Sequence, residues 1–81
     1  MAAATATDKW GNGLGTQAAW INELLSGSSF RSVNEVYDIL VQEFPTTTVG
    51  RVRQHCRWLR ENHPNRLEES REGRLITYRL V

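Results

Sequence analysis

With 81 residues and a formal net charge of +1, the chain has room for one small domain, which excludes the large enzyme folds. Its 40% hydrophobic and 23% charged content is ordinary for a globular protein and argues against disorder or a fibrous repeat. No apolar run approaches the roughly 20 residues of a membrane helix, and no basic residue precedes an apolar stretch at the start, so neither a membrane partner nor a secretory signal is expected.

Residues 1–15 read as a flexible lead-in with Trp10 as its candidate anchor, and the domain proper is at 16–81. The stretch Trp10-Gly-Asn-Gly-Leu-Gly15 is rich in glycine but lacks the preceding strand and the Gly-Lys-Ser/Thr of a phosphate-binding loop. Thr16 is a good N-cap for a first helix that ends at Ser26, with Gly27 as the residue past its end. Ala18, Ile21, Leu24 and Leu25 stand at helical spacing and form its expected core stripe. Residues 28–31 make a short bridge with room for a brief edge strand, Phe30 inward.

The second helix opens on Ser32-Val-Asn-Glu35, a capping box in which hydroxyl and carboxylate satisfy each other's free backbone N–H groups. Val33, Val36, Tyr37, Leu40, Val41 and Phe44 give it a wide apolar face, and Pro45 stops it. Thr46-Thr-Thr48 caps a third helix over about 48–62, so the two helices meet in a tight turn. On the third helix Val49, Val52, Cys56 and Leu59 fall within roughly 80° of arc at 3.6 residues per turn. The opposite arc carries Thr47, Gly50, Arg51, Gln54, Arg57, Trp58 and Glu61, with Arg53 and Arg60 beside the core stripe. After His63-Pro64-Asn65 the period changes to two. Ile76, Tyr78 and Leu80 alternate with polar residues as a strand, paired with residues 66–70 through a loop at 71–74 in which Gly73 supplies positive φ.

Charge is unevenly spread. Residues 1–50 carry two basic and five acidic side chains, a net of −3, whereas residues 51–81 carry eight arginines and four glutamates, a net of +4. Arginine presents a planar fork of donors that matches phosphates and guanine edges, a match lysine does not offer.

The order helix, bridge, helix, tight turn, basic helix, hairpin resembles the winged helix-turn-helix superfamily, an α+β fold of three helices followed by a C-terminal β-hairpin wing. The resemblance rests on Ser32-Val-Asn-Glu-Val-Tyr-Asp-Ile-Leu40, on Thr47-Thr-Val-Gly-Arg-Val-Arg53 and on Glu69-Ser-Arg-Glu-Gly-Arg-Leu-Ile-Thr-Tyr-Arg-Leu80. It implies a small transcriptional regulator whose partner is double-stranded DNA and whose third helix enters the major groove. By that resemblance Thr47 and Thr48 face a phosphate at the helix start, Arg51 and Gln54 reach base edges, and Gly50 lets backbone approach closely. Arg53 and Arg57 hold phosphates, while Arg71 and Arg74 on the wing grip backbone or a minor groove. One departure is the exit from the third helix, where Arg60-Glu-Asn-His-Pro-Asn65 stands in place of the glycine many such regulators carry.

Several residues point elsewhere. His55, Cys56 and His63 are near one another in sequence but lack the four ligands and spacing of a structural zinc site, so no metal or cofactor is expected. No acid–base pair or nucleophile constellation is present, so the chain is not expected to be an enzyme. A single cysteine excludes an internal disulfide and suits a reducing setting, cytoplasmic or nucleoid-associated. Trp58 projects away from the helical core stripe, and Trp20 poses the same question beside Ile21. The alternative function is therefore a winged-helix protein–protein module, an adaptor or inhibitor of a nucleic-acid enzyme, with Trp58 and Trp20 at a partner or homodimer interface. A pI near 8.0 and the glutamates Glu61, Glu68, Glu69 and Glu72 favour that alternative.

Overall fold

A computed structural model describes residues 6–27 and 29–81 of the chain. The elements run α1 (Gln17–Leu25), β1 (Arg31–Ser32), α2 (Val33–Glu43), α3 (Val49–Asn62), β2 (Leu67–Glu72) and β3 (Leu75–Leu80). The result is an α+β domain in which three helices pack on a three-stranded antiparallel sheet of order β1-β3-β2. Among the described residues no helix is long and apolar enough to cross a membrane.

Local chemistry sets the helix boundaries. The Thr16 hydroxyl accepts the Ala19 N–H at 3.3 Å, and Gly27 follows the C-cap Ser26 at φ +131°, a conformation that suits glycine. The capping box of α2 is complete: Ser32 Oγ accepts Glu35 N–H at 3.2 Å, and Glu35 Oε1 accepts Ser32 N–H at 3.1 Å. Pro45 and Thr46 occupy the centre of a turn closed by the Thr47 N–H on the Phe44 carbonyl at 2.9 Å. Thr48 then caps α3, its hydroxyl accepting Arg51 N–H at 3.1 Å. No glycine is needed where α3 ends. His63 precedes Pro64, leaves the helical region at φ −133°, ψ 56°, and still donates its N–H to the Leu59 carbonyl at 2.7 Å.

The expected hairpin forms, but its loop is shorter and its first strand longer than expected. Pairing runs from Leu67↔Leu80 to Glu72↔Leu75, leaving only Gly73 and Arg74 as the turn. Gly73 has φ +62° at the first central position, where the two-residue type II′ turn calls for glycine. Arg71 is therefore a strand residue opposite Ile76, not a loop residue. The bridge also pairs, through Arg31↔Tyr78 and Ser32↔Thr77, so the hairpin is part of a larger sheet. Phe30 is half-buried under the Arg79 guanidinium, 4.6 Å from its ring centre, and Ser28 lies outside the described residues.

The core joins Ile21 and Leu25 of α1, Val36 and Leu40 of α2, Val52, Cys56 and Leu59 of α3, and Tyr78 and Leu80 of β3. The expected α1 stripe holds at Ile21 and Leu25, with Leu24 packed against the core, and departs at Ala18. The buried side of α1 is Ala19, Ile21, Asn22 and Leu25, whereas Ala18 and Leu24 are half-buried, because the segment before α1 covers its Asn22 side. Trp10, the candidate anchor of the lead-in, is 7% exposed and belongs to the core, so residues 6–15 pack on the domain. Residues 1–5 of that expectation lie outside the described residues.

Cys56 is 3% exposed, and burial pushes its thiol up to about 11, with Arg60 opposing the shift. Thiolate is the reactive species, so Cys56 in the folded protein should resist a disulfide reagent at pH 8 and react fully once denatured. Rapid labelling of the native protein would contradict this burial.

Candidate nucleic-acid interface

At about 100° per residue, the exposed side of α3 has a centre and two flanks. Gly50, Gln54, Arg57 and Glu61 occupy the centre, Arg51 and Trp58 one flank, and Arg53 and Arg60 the other. The sheet covers only the second flank. Along β2, Leu67, Glu69 and Arg71 stand opposite Leu80, Tyr78 and Ile76, so the period of two turns Glu69 and Arg71 toward the helices.

The consequence is a groove of about 380 Å³ between α3, the hairpin and the start of α2. Arg53, Arg57 and Arg60 line it from α3, and Arg71 and Arg74 from the hairpin. Its lining contains no carboxylate. Tyr78, 8% exposed, forms part of the lining, and burial pushes its phenol up, which keeps it uncharged. Among the described residues only Arg60 of these five arginines has an ion-pair partner, Glu69 at 2.5 Å.

Two of the glutamates that share this basic region are neutralised by the strand register. Glu69 takes Arg60 on the helix side of the sheet, while Glu68 on the far side pairs with the directly opposite Arg79, which donates Nε–H at 2.8 Å. Glu61 and Glu72 remain exposed but outside the groove lining.

The sequence-derived site is thereby divided. Arg53, Arg57, Arg71 and Arg74 converge in the groove, whereas Arg51 and Gln54 border a separate depression of about 280 Å³ shared with Ala18, Ile21, His55 and Trp58. Thr48 and Gly50 are exposed at the start of α3. A Cβ on Gly50 would meet only Thr48 Oγ1, at 3.8 Å, so packing within the protein does not demand glycine there. Thr47 departs from expectation. It is 5% exposed because the Phe44–Thr47 turn bond tucks it beneath α3, and its hydroxyl has no partner among the described residues.

Trp58 is half-buried between two histidines, stacked on His55 at 5.4 Å and 16° and tilted against His63 at 5.5 Å. Trp20 is half-buried too, edge-on to Phe44 at 5.9 Å, beside Leu14, which is 60% exposed.

Sequence reasoning missed a buried polar network behind the Arg51 flank. Asn22, fully buried, donates from Nδ2 to Asp8 Oδ2 at 2.8 Å and to Asn12 Oδ1 at 2.6 Å. Its Oδ1 accepts from His55 Nε2 at 2.7 Å, which fixes the ring orientation of a residue on α3. Asp8 in turn accepts the N–H groups of Trp10 and Asn12 at 3.0 and 2.9 Å. Burial disfavours the Asp8 charge, yet the Asn22 amide and the backbone N–H groups outweigh it and hold the carboxyl below its ordinary range. Asp8-Lys-Trp-Gly-Asn12 carries an Asx-turn signal, and Asn22 lies on the apolar side of α1; together these were the available clues.

Burial pushes His55 below its ordinary 6.5, with the Asp8 carboxylate opposing. The unfolded chain's imidazole therefore takes up its proton at a higher pH than the folded one. The stability that this difference provides is present above pH 6.5 and is lost as pH falls through the lowered folded value. The melting temperature should accordingly decline on acidification below pH 6.5, and His55→Gln should flatten that decline. An unchanged slope in the variant would contradict it.

Comparison with known protein families, with curated proteins and with solved structures finds no match to the chain.

Proposed function

We propose that the chain is a winged helix-turn-helix DNA-binding protein, a small transcriptional regulator, with α3 in the major groove and the β2–β3 hairpin as its wing on backbone or minor groove. The observation that carries this reading is the convergence of five arginines from two elements on one groove, with four of them free of ion pairs among the described residues. Unpaired like charges held together are unfavourable without an anion, and phosphate is an anion whose oxygens guanidinium forks match. The tight α2–α3 turn, the exposed start of α3, the pairing of Glu68 on the far side of the sheet and the neutralisation of Glu69 by Arg60 support the same reading. Arg51 and Gln54 would read bases, while the groove arginines hold phosphates and set the register.

The test is binding of a labelled mixed-sequence duplex at about 50 mM and about 200 mM salt. Four phosphate contacts imply a loss of about a hundredfold across that range, from a slope of about −0.9 per contact. Arg51→Ala/Arg57→Ala should abolish low-salt binding. Absence of binding by the wild type at low salt would sink the proposal.

A second reading, a protein-binding module, rests on the largely apolar depression of about 210 Å³ formed by Leu14, Gly15, Ala19, Trp20 and Glu23. Trp58, enclosed by its two histidines, gives that reading little support.

A further inference from the structure

We infer that the arginine groove is a binding site for a compact oligophosphate, a short chain of adjacent phosphate groups, and that this anion and DNA compete for it. The competition rests on the DNA reading above; the anion site does not. The shape is the first reason. The groove's 380 Å³ lies at the lower end of the roughly 300–1,000 Å³ typical of small-molecule sites. A flat or convex basic face would suit a duplex alone, whereas this groove has guanidinium groups on two walls.

Charge density is the second reason. Arg53, Arg57, Arg71 and Arg74 have no ion-pair partner among the described residues, and no carboxylate lines the groove. A single phosphate carries a charge of about −1.5 to −2 at neutral pH and balances no more than two guanidinium charges, so four call for successive phosphate groups. A nucleic-acid backbone separates its phosphates by a sugar, while an oligophosphate joins them directly and better matches this crowding. Val33, Ile76 and Tyr78 line the same groove with partly or fully buried side chains, so the exposed guanidinium groups stand beside apolar surface. Asn34, in the first turn of α2, stands at the same groove, beside the helix end that Ser32 and Glu35 already cap.

The probe is sodium tripolyphosphate, titrated at constant ionic strength against orthophosphate and sulfate while backbone amide shifts are followed. Tripolyphosphate should bind at least about tenfold more tightly than either, shifting Asn34, Arg53, Arg71 and Ile76. It should also release a labelled duplex at saturation. Arg53→Gln/Arg71→Gln should lose about tenfold or more, whereas Arg66→Gln, exposed and outside the groove, should not. Magnesium-free ATP separates the two sources of this chemistry. Equal affinity assigns the site to the phosphate chain, and tighter binding adds a base against the apolar lining; either supports the inference. Binding no tighter than sulfate, equal loss in Arg66→Gln, or a duplex that stays bound at saturation would overturn it. Tripolyphosphate binding without any duplex binding would uphold the anion site and overturn the DNA reading.

Discussion

Replacing Arg57 and Arg71 together by alanine is expected to weaken duplex binding about a hundredfold at low salt, about tenfold for each charge-assisted contact. The slope of log affinity against log salt should become shallower by about 2, one unit for each phosphate contact removed. The two residues come from different elements, α3 and β2, and meet only because the register turns Arg71 toward the helix. Both are exposed and neither has an ion-pair partner among the described residues, so stability should change by no more than about 0.5 kcal/mol. Arg79→Ala is the matched contrast. It removes the Glu68 pair and the Phe30 contact on the far side of the sheet, and should leave the salt slope unchanged. An equal effect of Arg79→Ala would show that bulk charge, not the groove, governs binding.

Asn22→Ala should be the most damaging single substitution outside the apolar core. It strands Asp8 Oδ2, Asn12 Oδ1 and His55 Nε2, each of which loses a bond of 2.6–2.8 Å. An unpaired buried polar group costs about 1–3 kcal/mol, but these three partners are half-buried and water can take up part of each lost bond. A total loss of about 2–3 kcal/mol is therefore expected, a sizeable share of the roughly 4–12 kcal/mol available to a chain of this length at about 0.05–0.15 kcal/mol per residue. Urea unfolding followed by tryptophan fluorescence measures the loss. Because His55 shares the network, Asn22→Ala and His55→Ala should be strongly non-additive in a double-mutant cycle. A loss below about 1 kcal/mol, or simple additivity, would mean that residues 6–15 are held by Trp10 alone.

What the sequence disclosed was mainly local. Thr16, the Ser32–Glu35 box, Pro45, Thr48 and Gly73 act within a few residues of themselves, and each boundary they mark is where the chain turns. What it concealed depends on partners far apart. Asn22 and His55 are 33 positions apart, so an asparagine on the apolar side of α1 gave no hint of what it would meet. The divergence of Arg51 from Arg53 and Arg60 was readable from helical geometry, but which flank the hairpin would cover was not. That choice depends on β1 and β2 both pairing with β3. Arg71 belongs to β2 and not to the expected loop at 71–74, because Gly73 at positive φ makes a two-residue turn sufficient. Thr47 was read as exposed from its angle on an ideal helix, yet it precedes the helix and follows the turn instead.

The most direct test of the central claim is an amide chemical-shift map of the labelled protein with a DNA duplex added. The DNA account predicts changes at residues 48–57, at Asn34 and at residues 71–76, the elements that enclose the arginine groove. Changes confined to Leu14, Trp20 and Glu23, or no changes at low salt, would contradict it.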